Sequence, residues 1–488
     1  MKIKKILLAF LLLIFITFSL SSCGKSKKLT VATNAEFAPF EYYDGNTITG
    51  FDIEMIYEYG KANNIEIDVV NMDFDAALIS VSTLKADLAI AGITANETRK
   101  KTMAFTKSYY SADQVVIVKS GSIYETLTNQ EKLLQELSKN KATIGCQRGT
   151  TGQYYIEGDA EWEFDGIKDT TCKMFDNGPL AVQALADGKL DAVIIDSAPA
   201  KLYSKSISGV SIVNDVVLTS EEYAIALNLD NTELLESLNE FIDDFINSSS
   251  YDSLINKYFG SDELIQNTDN KNLNNVLSVL KGLGNTFLIT FVAFILGIVF
   301  GILVSFANGL QSKSWYAYFL KGISKAYVAI FRGTPIMVQL LIIYYVIFRF
   351  FTGDAIWIAM LAFGLNSGAY VSEIIRGGIN SVSNGQMEAG RSLGLPYKVV
   401  MKKVILPQAI KNCLPSLGNE FISLIKETSV VGFIGAFDLT LAFRKIANQT
   451  YNYTATYLIM GVVYFAIVII ITLVLSKLER GLAHDRTK

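Results

Sequence analysis

Five apolar stretches constrain this chain more than any other feature. They lie near residues 283–307, 327–351, 356–376, 414–438 and 455–476. Each is about 20 residues or longer, enough to cross ~30 Å of hydrocarbon as a helix. Inside lipid a backbone must satisfy its own N–H and C=O groups, so such stretches fold as helices. All five fall in the second half, and charge divides the chain at the same place. Residues 276–488 carry 19 basic and 8 acidic side chains, a balance of +11, while residues 24–275 carry 21 and 39, a balance of −18. That split implies an acidic water-soluble unit ahead of a basic membrane unit. The basic half has no interleaved aromatic and basic stripes on a polar background, so nucleic acid is not an expected partner. The single histidine, His484, excludes histidine metal clusters and Ser-His-Asp triads. No G-x-x-x-x-G-K-[ST] loop is present to cradle a nucleotide. No catalytic residue, metal or cofactor is expected.

The N-terminus reads as a targeting segment. Lys2, Lys4 and Lys5 precede an apolar run at 6–20, which is 15 residues long. That is short for a span and right for the core of a secretory signal. The run ends in Leu20-Ser21-Ser22-Cys23-Gly24, which resembles the bacterial lipobox. The resemblance implies cleavage before Cys23 and a lipid on Cys23, with 1–23 as signal peptide and 24–29 as spacer. A plain signal or uncleaved anchor is the other reading; either one exports the acidic unit.

In the acidic unit, strand and helix patterns alternate. Residues 29–33 alternate as a half-buried strand. Phe51-Asp52-Ile53 opens a helix with Ile53, Ile56, Tyr57 and Gly60 on one face. Next along the chain are a strand at 65–70, a helix at 74–83 and a buried strand at 88–91. A second series has strands at 142–147, 172–175 and 192–195, with helices after Thr151 and at 179–187. Two such series imply two α/β lobes built on largely parallel sheets. The expected domain is 30–260, with lobe 1 at about 30–110 and 224–260 and lobe 2 at about 114–220. The chain should cross between lobes near 111–116 and 222–226. Residues 261–275 are polar and aperiodic and read as a linker. Cys146 and Cys172 lie in the exported part, where a disulfide is chemically allowed; two buried thiols are the preferred reading.

These residues carry a resemblance. Thr33-Asn34-Ala35-Glu36-Phe37-Ala38-Pro39-Phe40-Glu41, Gly50-Phe51-Asp52 and Ala91-Gly92-Ile93-Thr94 with Arg99 come first. Phe105-Thr106, Tyr109-Tyr110, Gln147-Arg148-Gly149-Thr150-Thr151-Gly152 and Asp191-Ala192-Val193-Ile194-Ile195-Asp196 come after them in order. Together they resemble the polar amino acid binding proteins of bacterial ABC importers. The resemblance implies a ligand site of Asn34, Phe37, Phe74, Gly92, Thr94, Arg99, Gln147, Thr150, Thr151 and Asp196. The chemistry suits an amino acid zwitterion. Arg99 offers a two-pronged cation for the carboxylate, just past a strand end where open α/β sheets bind ligands. Thr94 is a ligand contact by resemblance, although Thr94 and Glu97 also have capping-box spacing. Asp196 ends an apolar strand, where a charge must be paired; the family sets this aspartate on the α-ammonium. It would otherwise cap the next helix. Thr150 and Thr151 start a helix, whose N–H groups suit an anion. Phe37 and Phe74 would stack on the ligand side chain, or else belong to the core. Neutral Asn34, with Gln147, tilts the reading towards an uncharged polar amino acid; Glu36 nearby weakens that tilt towards a cationic one.

The basic unit, 276–488, is expected to hold the five helices, with 314–326 amphipathic at the interface. The outside loops of a five-span chain would hold only Arg444 and Lys445, against 12 Lys and Arg inside, as the positive-inside rule requires. Glu388-Ala389-Gly390-x-x-x-Gly394 and then Leu406-Pro407 resemble the E-A-A loop of ABC importer permeases, which docks into a cytoplasmic ATPase. Small Ala389 and Gly390 permit close approach, and Gly394 a tight turn. Gly390 stands where Ala is usual and Val404 where Ile is usual. Phe331-Arg332-Gly333-Thr334-Pro335 and Tyr370-x-x-Glu373-x-x-Arg376-Gly377-Gly378 resemble the amino acid subclass. Glu420 and Glu427, seven apart, share a helix face, either lining a path or sitting near the cytosolic end.

The fold class expected is a two-lobed α/β periplasmic-binding-protein-like domain followed by an all-α transmembrane permease domain of five helices. The function implied is amino acid uptake, by a non-enzymatic subunit in the bacterial cell membrane. A cytoplasmic ABC ATPase and a second copy of the permease are the implied partners, with membrane lipid around them. A ligand-gated channel would split the binding domain around its pore and carry a T-V-G-Y-G-like filter. A sensor would carry a cytosolic output domain. Neither pattern is found.

Overall fold

The computed structural model of the protein describes residues 28–260, 271–310, 314–349, 351 and 353–484. The expected signal peptide, Cys23 and most of the 261–275 stretch lie outside the described residues. Residues 271–275 are already helical, in Lys271–Asn308, so that part of the expected linker is helix.

The first lobe is built on a five-stranded sheet in the order Glu66–Asn71, Lys28–Thr33, Leu88–Ala89, Ala226–Leu227, Ala104–Phe105. Val31 sits between Val69 and Leu88 in parallel register, and Ala226–Leu227 runs antiparallel to its neighbours. A small sheet of Glu36–Phe37, Glu41–Asp44 and Thr47–Thr49 flanks it. The second lobe is a six-stranded sheet around Thr143–Gln147, Ala192–Asp196 and the long strand Tyr110–Lys119. Tyr110–Lys119 and Thr219–Tyr223 pair antiparallel and carry the chain between lobes. Each lobe has apolar side chains packed on its sheet, among them Val31, Leu88 and Ile90 in the first and Ile144, Ala192 and Ile194 in the second. In helix Phe51–Ala62 the inward face is Phe51, Asp52, Ile53, Met55, Ile56, Tyr59 and Gly60. Tyr57 is not on it: its side chain is 43% exposed. Gly60 is small because a Cβ there would come within 2.5 Å of Ile67.

The second half is helical. Lys271–Asn308, Ala355–Asn380 and Tyr453–His484 contain the helices long and apolar enough, by length and composition, to cross a membrane. The first two pack through small residues: Gly297 faces Ser367, Gly301 faces Val371, and a Cβ on either glycine would come within 2.6 Å. Such stripes let apolar helices approach closely.

The stretch expected as one span at 327–351 is broken. Trp315–Gly333 and Ile336–Ile347 meet at a bend of 115°. Pro335 has no N–H to donate and holds the preceding residue out of the helical region; Thr334 is extended, with φ −123° and ψ 149°. The carbonyls freed at the break are met by Gln339, whose Nε2 donates to Phe331 O and Thr334 O at 2.9 Å each. Asn366 Nδ2 adds 3.1 Å to Phe331 O and 2.8 Å to Gln339 Oε1. The residues 314–326 therefore belong to the first arm of this bent pair. The stretch at 414–438 is also not one continuous α-helix: Leu406–Glu427 is α-helical, Thr428–Ile434 is 3₁₀, and Gly435 turns the chain.

The α/β domain rests on one end of the helices. Lys85 Nζ donates to the carbonyls of Phe348 and Phe351 at 2.5 and 2.9 Å, just before Ala355–Asn380 begins. The segment holding Asn384–Ser392 and Tyr397–Val400 comes after the other end of that helix. At ~1.5 Å per residue, the 26 residues of the helix separate the two by ~39 Å.

Candidate ligand site between the lobes

Asn34, Phe37, Phe74, Gly92, Thr94, Arg99, Gln147, Thr150, Thr151 and Asp196 all line one cavity between the lobes, with Glu41, Ala91 and Glu221. The lobes are drawn together across it. Its volume is about 20 Å³, room for about one water, so admitting an amino acid requires the lobes to part.

Arg99 closes one end. Asn96, not Thr94, caps its short helix: Asn96 Oδ1 accepts from Arg99 N at 2.7 Å. Arg99 Nη1 donates to Thr94 O and Nη2 to Gly149 O, both at 2.7 Å, so the guanidinium ties lobe to lobe. It lies over the rings of Phe74 and Trp162, 5.4 and 5.6 Å from their centroids. With no cap to make, the Thr94 hydroxyl donates to Glu221, as does that of Thr151.

Asp196 stands at the other end. It occupies the N-cap position of helix Ser197–Ser206, yet its side chain makes no capping bond. Its Oδ1 instead accepts from Tyr223 Oη at 2.6 Å and Gln114 Nε2 at 2.9 Å. The same Nε2 donates to Glu221 Oε1 at 2.5 Å. One amide therefore spans two buried carboxylates. Burial, and then the Glu221 charge, push the Asp196 carboxyl well above the usual carboxylate range. The arrangement concentrates buried carboxyl groups whose ionisation an ammonium would stabilise. Sequence reading missed Glu221, Gln114 and Trp162. The signal for Glu221 was available only in retrospect: a carboxylate on the strand that carries the chain back between lobes.

Phe37 and Phe74 belong to the core and also line the cavity. Phe37 stacks on Phe40, centroids 5.7 Å apart, within the first-lobe core while lining the cavity. Phe74 packs with Met72 and Ala77 beneath Arg99. Thr150 is the N-cap of Thr151–Glu157. Asn34 Nδ2 donates to Met72 O at 3.0 Å, leaving its Oδ1 to accept from Gln147 Nε2 at 3.4 Å. Glu36 does not line the cavity; its carboxylate accepts from Asn177 and pairs with Arg444. Cys146 and Cys172 are free thiols, 3.4 Å apart; Cys146 is buried and Cys172 half-buried.

Residues 29–261 match the family of bacterial extracellular solute-binding proteins, family 3. Residues 297–484 match the binding-protein-dependent transport system inner membrane component. The arginine transport system permease protein ArtQ of Bacillus subtilis (strain 168) is 40% identical over 211 residues, covering 42% of this chain and 93% of ArtQ. The chain belongs to the amino acid ABC importers. In this importer a solute-binding domain and a permease share one polypeptide. The putative glutamine transport system permease protein GlnP of Rickettsia bellii (strain RML369-C) is 37% identical over 214 residues, 42% of the importer chain and 94% of GlnP. Among solved structures, the P235GK mutant of ArgBP from T. maritima is 33% identical, covers 48% of the importer chain and 96% of its own, and superposes with a TM-score of 0.43.

In the permease, Glu388 and Ala389 are exposed on helix Asn384–Ser392. Gly390 is buried, where a Cβ would come within 2.7 Å of Val400. Gly394 ends the helix with φ +80°, a conformation that favours glycine. A second cavity, about 780 Å³, opens among Arg332, Tyr370, Glu373 and Glu420. Glu420 Oε1 there accepts from Ser367 Oγ at 2.7 Å, so it lines a cavity in mid-helix; Glu427 ends the same helix.

Proposed function

We propose that this chain captures a polar amino acid outside the bacterial cytoplasmic membrane and delivers it to a channel formed by two copies of its permease domain. A separate cytoplasmic ABC ATPase supplies the energy, and five membrane crossings place its docking loop inside. The observation that carries the reading is the polarity of the cavity, with Arg99 at one end and Asp196 with Glu221 at the other. An α-carboxylate suits the forked guanidinium, and an α-ammonium suits the paired carboxylates. Thr94, Thr151, Thr150 and the backbone at Gly92 complete the contacts to the zwitterion. Phe37 and Phe74 flank the side chain, which Asn34 and Gln147 meet with uncharged amides. Glu36 is already paired outside the cavity, which supports an uncharged side chain over a cationic one. The permease relatives are named for arginine in one case and glutamine in the other. Cys23 carries the lipid that tethers the mature N-terminus. Calorimetry of the full chain in lipid nanodiscs against the amino acid panel tests the site; failure to bind any amino acid overturns it.

Binding should also respond to pH. An acid whose folded pKa is raised holds a proton that the unfolded chain has lost, so its contribution to folding weakens as pH rises. An ammonium needs Asp196 ionised, so affinity should strengthen as pH rises through the raised Asp196 pKa, with protons released on binding. Calorimetry in buffers of different ionisation enthalpy reads that release. Asp196→Asn should remove it along with most of the affinity.

The orientation has its own test. The docking loop and the binding domain meet opposite ends of helix Ala355–Asn380. Single cysteines at Gln386 and Thr450, both exposed, can be probed in intact cells with an impermeant thiol reagent. Thr450→Cys should react and Gln386→Cys should not. Labelling at 386 would invert the topology.

A further inference from the structure

Helix Leu439–Thr450 and the residues just after it touch both lobes of the binding domain. Arg444 Nη2 lies 3.2 Å from Glu36 Oε1 and 2.7 Å from Asp73 Oδ1, both in the first lobe. Gln449 Nε2 donates to the carbonyls of Tyr43 and Gly45 at 3.1 Å each, and Lys445 Nζ to Asn46 Oδ1 at 2.6 Å. Tyr451, which caps the helix in a left-handed conformation, meets Tyr203 of the second lobe edge to face, centroids 5.7 Å apart. Glu36 is the shared point. Its side chain is 4% exposed, and its Oε2 accepts from Asn177 Nδ2 at 2.7 Å across the cleft. The Asn177 amide is oriented by its own capping bond, Oδ1 accepting from Leu180 N at 2.9 Å. That leaves Nδ2 to face Glu36. Tyr203 Oη adds a bond to Glu36 O at 3.3 Å.

We propose that Glu36 and Arg444 form a latch through which the permease reads lobe closure. Opening the cleft withdraws Asn177 and Tyr203, both on the second lobe, from Glu36 and Tyr451. Closing it sets Glu36 where Arg444 completes a three-way contact of first lobe, second lobe and permease. Asp73 anchors Arg444 to the first lobe in either state. The helix can pass the signal on, because Leu439 and Phe443 pack against Phe421 and Ile425 of Leu406–Glu427. That helix leads directly from the Asn384–Val400 loop segment. Arg444 and Glu36 are positioning residues, since neither lines the cavity.

Coupling is reciprocal: if closure favours latching, latching favours closure and therefore ligand affinity. The inference rests on the amino acid reading only for its affinity arm. Spin labels at Lys61→Cys and Lys139→Cys, exposed positions on the first and second lobes, report the cleft in the full chain without ligand. The background lacks the other cysteines. Arg444→Ala should shift the distance distribution from closed towards open, and Glu36→Gln should do the same. The double variant should shift it no further than the larger single one. Asp73→Asn should shift it least. With ligand, Arg444→Ala and Glu36→Gln should each weaken affinity by about tenfold at unchanged thermal stability. Arg444→Lys should recover part of the loss. A label distribution that Arg444→Ala leaves unchanged, or single effects that add in the double variant, would overturn the latch. A wild-type chain that binds no amino acid while its label distances respond as expected would instead sink the ligand reading and leave the latch standing.

Discussion

Arg99→Ala is expected to abolish amino acid binding while the chain still folds. Arg99 is 9% exposed, and its guanidinium lies over Phe74 and Trp162 and donates to one carbonyl from each lobe. A carboxylate in the cavity would exchange those carbonyl bonds for charge-assisted ones, which are stronger. Among the described residues Arg99 is the only positively charged side chain lining the cavity, and truncation leaves Asp196, Glu221 and Glu41. An anionic group would then meet an anionic site with no counterion. Loss of one partner in a buried charge pair costs about 2–5 kcal/mol, or about 30-fold to several thousand-fold in affinity. Arg99→Lys should recover little of this, because an ammonium cannot make the forked contact. Calorimetry on the full chain, with a thermal melt to show folding, decides it. Near wild-type affinity in folded Arg99→Ala would remove the carboxylate assignment and with it the zwitterion reading.

Asp196 and Arg99 were legible from their places on the chain, whereas the other cavity-lining residues were named only through the family resemblance. Asp196 closes an apolar strand, and Arg99 comes just past one. The charge of Asp196 at the end of an apolar run calls for a partner, and Arg99 falls where open α/β sheets bind ligands. Glu221 was not legible by that route. It alternates with exposed neighbours on an ordinary antiparallel strand, and only the three-dimensional register brings it beside Gln114 and Asp196. For Thr94 the alternative reading, a helix cap, is the one that drops out. Its spacing to Glu97 fits a capping box, but Asn96 is the cap, so the hydroxyl is free to meet Glu221.

In the helical half, hydropathy found the apolar stretches and misread their continuity. A window average cannot see that Pro335 opens a helix end inside an apolar run. Nor can it see that Gln339 and Asn366 supply the missing donors. The inter-domain contacts were invisible for another reason. Arg444 and Lys445 counted only as outside charges, whereas the fold turns them into partners of Glu36, Asp73 and Asn46. Glu36 was placed near the ligand by sequence distance and is held away from it by those same bonds.

Ala389→Trp is expected to stop uptake without weakening ligand binding or unfolding the loop. Three observations make this position the informative one. Ala389 is exposed, so a large side chain meets no part of the permease itself. A Cβ on its neighbour Gly390 would come within 2.7 Å of Val400, so Gly390→Trp would break the loop's own fold and report nothing about docking. Leu393, Leu395 and Tyr397 are 81%, 38% and 40% exposed on the same segment. Apolar side chains left that open, at the helix end remote from the binding domain, form a surface suited to a protein partner. An indole at Ala389 would stand within that surface and hold the ATPase off. Gly394→Trp acts differently, because φ +80° strains any side chain there; it should lose both loop geometry and docking. The measurements are co-purification of the cognate ATPase, amino acid uptake in reconstituted vesicles and ligand calorimetry on the same preparation. Ala389→Trp should lose the first two, with uptake down about tenfold or more as expected for a blocked anchor of an interface, and keep the third. Undiminished co-purification and uptake in Ala389→Trp would place the ATPase contact elsewhere on the permease.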